Sequence, residues 1–139
     1  QKEDFAGRRI LLVEDNEINM EIARTLLEFR NASVDGACNG QQAVEMFRSS
    51  PQNHYDAVLM DVRMPVMDGI AATQAIRGLD RADAATVPIL AMTANAFHED
   101  VVSALSAGMN SHISKPIDPE CLYQVLIASL RDQAKPAGA

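Results

Sequence analysis

The stretch YDAVLMDVRMPVMDG, Tyr55 to Gly69, decides the fold. Four apolar residues run directly into Asp61, and a proline and an Asp-Gly turn follow within the next eight residues. An uninterrupted apolar run of this length is typical of a strand that is buried on both faces of a parallel sheet. The carboxylate at its end is either a polar stop or part of a site, and the rest of the chain decides between the two.

Short apolar runs alternate with longer stretches of helical period, which predicts successive βαβ units. The first, third and fourth runs are strongly apolar, so we expect these strands at the centre of the sheet and the other two at its edges. An α/β fold with a doubly wound, five-stranded parallel sheet of order 2-1-3-4-5 meets this requirement. The predicted strands are Arg9 to Glu14, Ser33 to Ala37, Asp56 to Met60, Pro88 to Met92 and Ser111 to Ser114.

The predicted helices have recognisable ends. Left-handed Asn31 would end the first helix, Asn39 and Asp68 would cap the second and third, and Gly108 would end the fourth. Asp118 and the proline after it open the last helix. In the first helix, roughly Glu17 to Arg30, four apolar residues recur at helical spacing and predict a core-facing side: Ile18, Ile22, Leu26 and Phe29.

Composition restricts the possible partners. The 139 residues carry a formal charge of -7, which argues against direct nucleic-acid binding because such proteins neutralise phosphates with Lys and Arg. No apolar run approaches the ~20 residues of a membrane span, so we expect no membrane contact by this domain and a cytoplasmic location. Cys38 and Cys121 have no metal-ligand spacing and predict reduced thiols in the core. We expect one domain over 8–131, with a linker at 1–7 and a tail at 132–139.

Three carboxylates are predicted to meet at one edge of the sheet. In open α/β sheets, ligands bind beyond the carboxyl ends of the strands, near the switch in strand order. Strands 1 and 3 end there and lie ~4.8 Å apart if adjacent, which brings Glu14 and Asp15 close to Asp61. Hard oxygen ligands with room for water suit Mg²⁺.

Two further residues extend this metal site toward phosphoryl chemistry. Thr93 brings a hydroxyl group to the end of strand 4, and Lys115 brings a positive charge just after strand 5. A carboxylate beside Mg²⁺ can attack phosphorus, and Asp61 is the best nucleophile because it stands alone on a central strand. Taken singly, each residue fits a solvated strand end, but four strands that place these groups at one edge favour a site.

These residues lie in motifs that closely resemble the receiver (response-regulator) domain of two-component signalling, over about Arg8 to Leu130. The resemblance implies a flavodoxin-like (βα)5 fold and a phosphorelay function in which Asp61 accepts a phosphoryl group from a phosphohistidine. The donor would be a histidine kinase or a histidine phosphotransfer domain. The motifs are LLVEDN (Leu11 to Asn16), LMDVRMPVMDG (Leu59 to Gly69), AMTA (Ala91 to Ala94) and SKPI (Ser114 to Ile117).

The same resemblance assigns the remaining roles. Asp15 and Asp61 would bind Mg²⁺ directly with the backbone carbonyl of Arg63, and Glu14 would act partly through water. Thr93 would be the switch hydroxyl and Lys115 the phosphate partner. The Lys115-Pro116 bond resembles the family's cis peptide.

One position departs from the family pattern. Many receivers carry an aromatic residue three positions before the lysine, where this chain has His112. We interpret His112 as a modified switch residue, with a solvent-facing edge-strand histidine as the alternative.

The wider context has several candidate forms. The motifs are most similar to receivers of hybrid sensor histidine kinases; such a receiver catalyses its own aspartyl phosphorylation and dephosphorylation, and the parent chain would be a kinase. A stand-alone response regulator, or one separated from an effector domain, would carry the same residues.

An aspartyl-phosphate hydrolase of the haloacid dehalogenase type would usually place a second aspartate where this chain has Arg63. A nucleotide-binding domain would need a glycine-rich loop that VEDNEIN lacks, and a purely structural module needs no metal site.

Overall fold

The computed structural model describes residues 5–62, 64, 66–93, 98–115 and 117–134, of which 98–100 and 131–134 are described by backbone alone. The strands are β1 Arg9–Val13, β2 Ser33–Ala37, β3 Ala57–Asp61, β4 Ile89–Thr93 and β5 Ser111–Ser114. The helices are α1 Glu17–Phe29, α2 Gly40–Ser49, α3 Gly69–Arg77, α4 Ala82–Thr86, α5 His98–Ala107 and α6 Pro119–Ala134.

The five strands form one parallel sheet in the order β2-β1-β3-β4-β5, which confirms the predicted topology. The three central strands are buried almost throughout, whereas β2 and β5 each have one buried residue and are otherwise half-buried or exposed. One core layer lies between the sheet and helices α2, α3, α4 and α5. A second layer lies between the opposite face of the sheet and helices α1 and α6. The fold is therefore doubly wound, as the alternation of strands and helices predicted.

The helix ends follow the predicted capping residues. Asn39, Asp68 and Asp118 each accept a hydrogen bond from a backbone N–H in the first turn of the helix that follows, at 2.8 to 3.0 Å. Asn31 (φ +73°) and Gly108 (φ +114°) take the left-handed conformation just after α1 and α5. Such caps use polar groups that the helix itself leaves unpaired, which is why the sequence locates them well.

The predicted core face of α1 is wrong for three of its four residues. The exposed fractions are 71% for Ile18, 48% for Ile22 and 75% for Phe29, and Leu26 is only partly buried. Ala23 and Leu27 face the sheet instead, on a stripe turned by about a third of a revolution at 100° per residue. Both stripes have helical period, so periodicity could not choose between them.

Other predictions need smaller corrections. Cys38 and Cys121 are both exposed free cysteines and not core residues. The short helix α4 was not predicted, because its five residues are too few to show a period. Strands β3 and β4 run one residue beyond their predicted ends, so Asp61 and Thr93 are the last strand residues.

The described residues outside 8–131 include a buried side chain and the end of the last helix. Phe5 is only 1% exposed, its backbone N–H donates to the Arg30 carbonyl oxygen at 2.7 Å, and its ring contacts Tyr123. The backbone of α6 continues to Ala134. None of the helices in the described ranges combines the length and hydropathy needed to span a bilayer.

Candidate functional site

The carboxyl edge of the sheet collects the residues that the sequence singled out. Asp61 and Thr93 are the last residues of β3 and β4, while Glu14 and Lys115 directly follow β1 and β5. Backbone bonds continue the ladder at this edge: the Glu14 N–H donates to the Ala37 carbonyl oxygen at 3.0 Å, and the Lys115 N–H donates to that of Thr93 at 2.7 Å. The strand ladder therefore fixes where these side chains begin.

Three carboxylates form one cluster at this edge. Glu14, Asp15 and Asp61 each offer a carboxylate oxygen, and these atoms lie within 4.8 Å of one another. Glu14 and Asp61 are 2% and 4% exposed, whereas Asp15 faces solvent. An all-oxygen cluster with one open side fits a small hard cation that retains water, as Mg²⁺ does.

Lys115 supplies a positive charge to the buried acids. Its ammonium Nζ lies 2.9 Å from Asp61 Oδ2, to which it donates a hydrogen bond, and 2.9 Å from Glu14 Oε1. The second contact is an ion pair without hydrogen-bond geometry, so Glu14 Oε1 remains available as an acceptor. One lysine thus balances part of the charge of two buried carboxylates.

The pKa values reflect this shared charge. Burial raises the pKa of Asp61 from 3.8 to about 6; the Lys115 hydrogen bond opposes the rise, and the negative charge of Glu14 adds to it. Burial lowers the pKa of Lys115, but its contacts with the Asp61 and Glu14 carboxylates outweigh this effect, and the net pKa is above the ordinary value. Asp61 is therefore an under-compensated buried acid beside a lysine that stays protonated.

Thr93 brings a hydroxyl to the end of the neighbouring strand. The residue is 1% exposed, and its Oγ1 has no hydrogen-bond partner within the described residues. A buried hydroxyl without a partner costs free energy, on the order of 1–3 kcal/mol. Thr93 thus keeps an unused donor at the same edge as the acid cluster.

Two glycines allow the loop after β3 to pack closely. A Cβ on Gly69 would lie 2.2 Å from the Asp61 carbonyl oxygen, and a Cβ on Gly40 would lie 2.3 Å from that of Met67. The Gly69 and Gly40 N–H groups donate to the Val62 and Met67 carbonyl oxygens at 2.8 and 3.0 Å. The Asp-Gly pair was predicted only as a helix start, so this contact with the Asp61 backbone was missed.

Some predicted residues lie away from the cluster or outside the described residues. His112 is half-buried on β5, opposite Ala91 of β4, and its switch role stays a prediction. His54 lies before β3, 3.9 Å from Asp35. The Arg63 carbonyl and the Lys115-Pro116 peptide bond fall outside the described residues, so the proposed metal ligand and the cis peptide remain predictions.

A groove of about 580 Å³ opens beside the acid cluster. Glu14 and Asp15 line one end, and residues of α1 line its length, including the exposed Ile18 and Ile22. The apolar residues that the core does not use therefore border the site, a placement that sequence periodicity could not reveal.

The similarity of this chain to known proteins agrees with the geometry of the site. A family model described as "Response regulator receiver domain" matches residues 10–127. The chain is 36% identical to Hybrid signal transduction histidine kinase I of Dictyostelium discoideum, over 86% of this chain and 7% of that protein. It is 42% identical to Two-component response regulator ORR41 of Oryza sativa subsp. japonica, over 85% of this chain and 91% of that protein.

A solved structure shows a similar fold with a bound metal. The receiver domain of a sensor histidine kinase from Pseudomonas aeruginosa PAO1 superposes with a TM-score of 0.81 at 39% identity, covering 90% of this chain and 98% of that one. That structure has a magnesium ion coordinated in its active-site cleft. The chain spans 7% of the Dictyostelium kinase and at most 17% of two further relatives.

Proposed function

Because the chain belongs to the response regulator receiver domain family of two-component phosphorelays, we propose that Asp61 is its phosphoacceptor and that Mg²⁺ is its cofactor. The observation that carries this proposal is the placement of Asp61: it is buried among two further acids, with a lysine ammonium 2.9 Å away. With a pKa of about 6, the carboxylate is largely ionised at neutral pH and able to act as a nucleophile.

The proposed reaction moves one phosphoryl group from nitrogen to oxygen. A carboxylate oxygen of Asp61 attacks phosphorus, the P–N bond of a phosphohistidine breaks, and the imidazole nitrogen keeps the electron pair. Lys115 balances charge on the transferring group, and the free hydroxyl of Thr93 donates to one of its oxygens. His112 would follow Thr93 as a switch residue on the adjacent strand.

The metal would occupy the acid cluster. Asp15 and Asp61 would hold Mg²⁺ directly with the Arg63 carbonyl, and Glu14 would act partly through water. When bound, the ion neutralises negative charge on the carboxylates and on the transferring phosphoryl group.

We propose a histidine kinase or a histidine phosphotransfer domain as the phosphodonor, and a hybrid sensor kinase as the parent protein. Matches to the hybrid kinase of Dictyostelium discoideum and to the kinase receiver of Pseudomonas aeruginosa support the second point. The exposed Ile18 and Ile22 provide an apolar surface beside the acids for an incoming donor. Domain limits of 8–131 and a cytoplasmic location belong to the same proposal.

Phosphorylation by a small donor tests the acceptor assignment. The purified wild-type chain should gain one phosphoryl group from phosphoramidate, only with Mg²⁺ present, as measured by intact-protein mass spectrometry. Asp61→Asn should abolish the gain, whereas Asp80→Asn, at an exposed aspartate, should not. A base-labile adduct that persists undiminished in the Asp61 variant contradicts the proposal.

A further inference from the structure

The loop between β3 and α3 holds an apolar residue in an unfavourable backbone conformation. Val66 has a φ of +70°, a region that β-branched L-residues rarely adopt because the side chain crowds the backbone carbonyl. The two other non-glycine residues with positive φ in the described ranges are Asn31 and Asn53, and asparagine tolerates this conformation. Val66 is therefore the residue whose type does not match its backbone.

Packing within the domain does not offset this strain. The Val66 side chain is 76% exposed, more than any other large apolar side chain of the described residues. An exposed asparagine or glycine would adopt the same backbone at lower cost. The exposed valine side chain is therefore available for a contact outside the domain.

Hydrogen bonds anchor described residues on both sides of Val66. The Gly69 N–H donates to the Val62 carbonyl oxygen, and the Gly40 N–H donates to that of Met67. The Met67 side chain packs against the core. Strained backbone persists where the surroundings fix it, and it concentrates at functional sites. Val66 is thus an exposed apolar projection between residues that hydrogen bonds anchor.

We propose that Val66 is a specificity-determining contact for the protein phosphodonor. The inference rests on the proposed function, since it takes Asp61 as the acceptor. Val66 lies five residues after Asp61, on the loop that leaves the same strand end. A donor that brings its phosphohistidine to Asp61 must cover the loops around that strand end, and an apolar patch beside the phosphohistidine would contact Val66.

The held conformation gives this contact a physical advantage. A side chain on a fixed loop loses little conformational freedom when a partner covers it, so more of the burial free energy appears as affinity. A small phosphodonor reaches Asp61 without covering the loop and gains nothing from Val66. The residue should therefore distinguish protein donors from small donors.

A double comparison of donors and variants tests the proposal. Val66→Asn removes the apolar contact while keeping a residue that accepts positive φ, and Val102→Asn makes the same change at an exposed valine on α5. Each chain is phosphorylated by phosphoramidate and, separately, by a histidine phosphotransfer domain that carries phosphohistidine. Transfer rates are followed by rapid quench, and thermal unfolding is measured on the same samples.

Val66→Asn is expected to raise the melting temperature by about 2–5 °C and to lower kcat/KM for the phosphotransfer domain roughly tenfold. Its rate with phosphoramidate should match the wild type, and Val102→Asn should change neither rate. An unchanged rate with the phosphotransfer domain, or an equal loss with both donors, overturns the proposal. A wild-type chain that accepts from neither donor contradicts the proposed function itself.

Discussion

Replacing Asp61 by asparagine is expected to stabilise the metal-free protein. The Asp61 carboxylate is 4% exposed and lies beside buried Glu14, and the Lys115 ammonium lies 2.9 Å from each of these two carboxylates. Asparagine keeps the size of the side chain and removes its charge. Without the second buried anion, Lys115 can balance Glu14 alone.

The size of the effect follows from the pKa of the carboxyl group. A rise in the pKa of Asp61 from 3.8 to about 6 means that the folded state destabilises the ionised carboxylate by roughly 3 kcal/mol relative to the protonated form, at ~1.4 kcal/mol for each pKa unit. The pKa of about 6 already includes the opposing effect of the Lys115–Asp61 ion pair, and burial of the asparagine amide in place of the carboxyl group reduces the gain. We therefore expect the free energy of unfolding to rise by about 1–2 kcal/mol at pH 7.5 without metal.

The pH dependence has a definite sign. Because the pKa is raised, the folded state binds the Asp61 proton more tightly than the unfolded state. The wild-type protein should therefore gain stability from this group as pH falls through about 6, and the gain should be complete near the ordinary value of 3.8. The difference between variant and wild type should be largest at pH 7.5 and should shrink toward pH 4.

Urea unfolding followed by circular dichroism measures this difference. The measurement is made in EDTA at pH 7.5 and at pH 4.5 on the wild type, Asp61→Asn and Asp80→Asn. Taking the difference in unfolding free energy between each variant and the wild type at the same pH removes the contribution of the other acids. Saturating Mg²⁺ should then stabilise the wild type more than the Asp61 variant, because the ion binds the folded state. An Asp61 variant no more stable than wild type at pH 7.5, or an advantage of equal size at both pH values, would refute the reasoning.

Two further substitutions test the metal site and its scaffold. Asp15→Asn should weaken Mg²⁺ binding by roughly 10–100-fold, as measured by isothermal titration calorimetry. Glu14→Gln should weaken it less, because Glu14 is already paired with Lys115. Equal losses of Mg²⁺ affinity in the two variants contradict this ranking. Gly69→Ala should destabilise the protein by about 1–3 kcal/mol in urea and slow phosphorylation by phosphoramidate, because the added Cβ meets the Asp61 carbonyl oxygen at 2.2 Å. Gly78→Ala, whose nearest contact would be 3.3 Å away, is the control and should have the smaller effect.

Sequence patterns predicted the sheet better than the helix faces. Strands buried on both sides carry continuous apolar runs, so β1, β3 and β4 could be placed at the centre from composition alone. A helix with two apolar stripes is ambiguous, because the stripe of Ile18 and the stripe of Leu27 have the same period. The choice between them depends on which stripe fits the sheet, and Ala23 allows the closer approach there.

The members of the acid cluster could be predicted, but their energetic balance could not. The strand order brings Glu14 and Asp61 together, since both belong to neighbouring strand ends. Sequence gave no indication that one lysine would bridge both acids or that Asp15 would remain exposed. The left-handed Val66 was also hidden, because β-branched residues argue against that conformation.

Two donor groups at the carboxyl edge explain how a phosphoryl group could change the conformation of this domain. A ligand shifts a conformational equilibrium only by interacting differently with the two states. Within the described residues, the Thr93 hydroxyl at the end of β4 has no hydrogen-bond partner, and the Lys115 ammonium just after β5 is shared between two acids. The backbones of these two residues are hydrogen-bonded, because the Lys115 N–H donates to the Thr93 carbonyl oxygen. A phosphoryl group on Asp61 would offer acceptors to both, so the arrangement that lets both donors reach it gains free energy that the unphosphorylated state lacks.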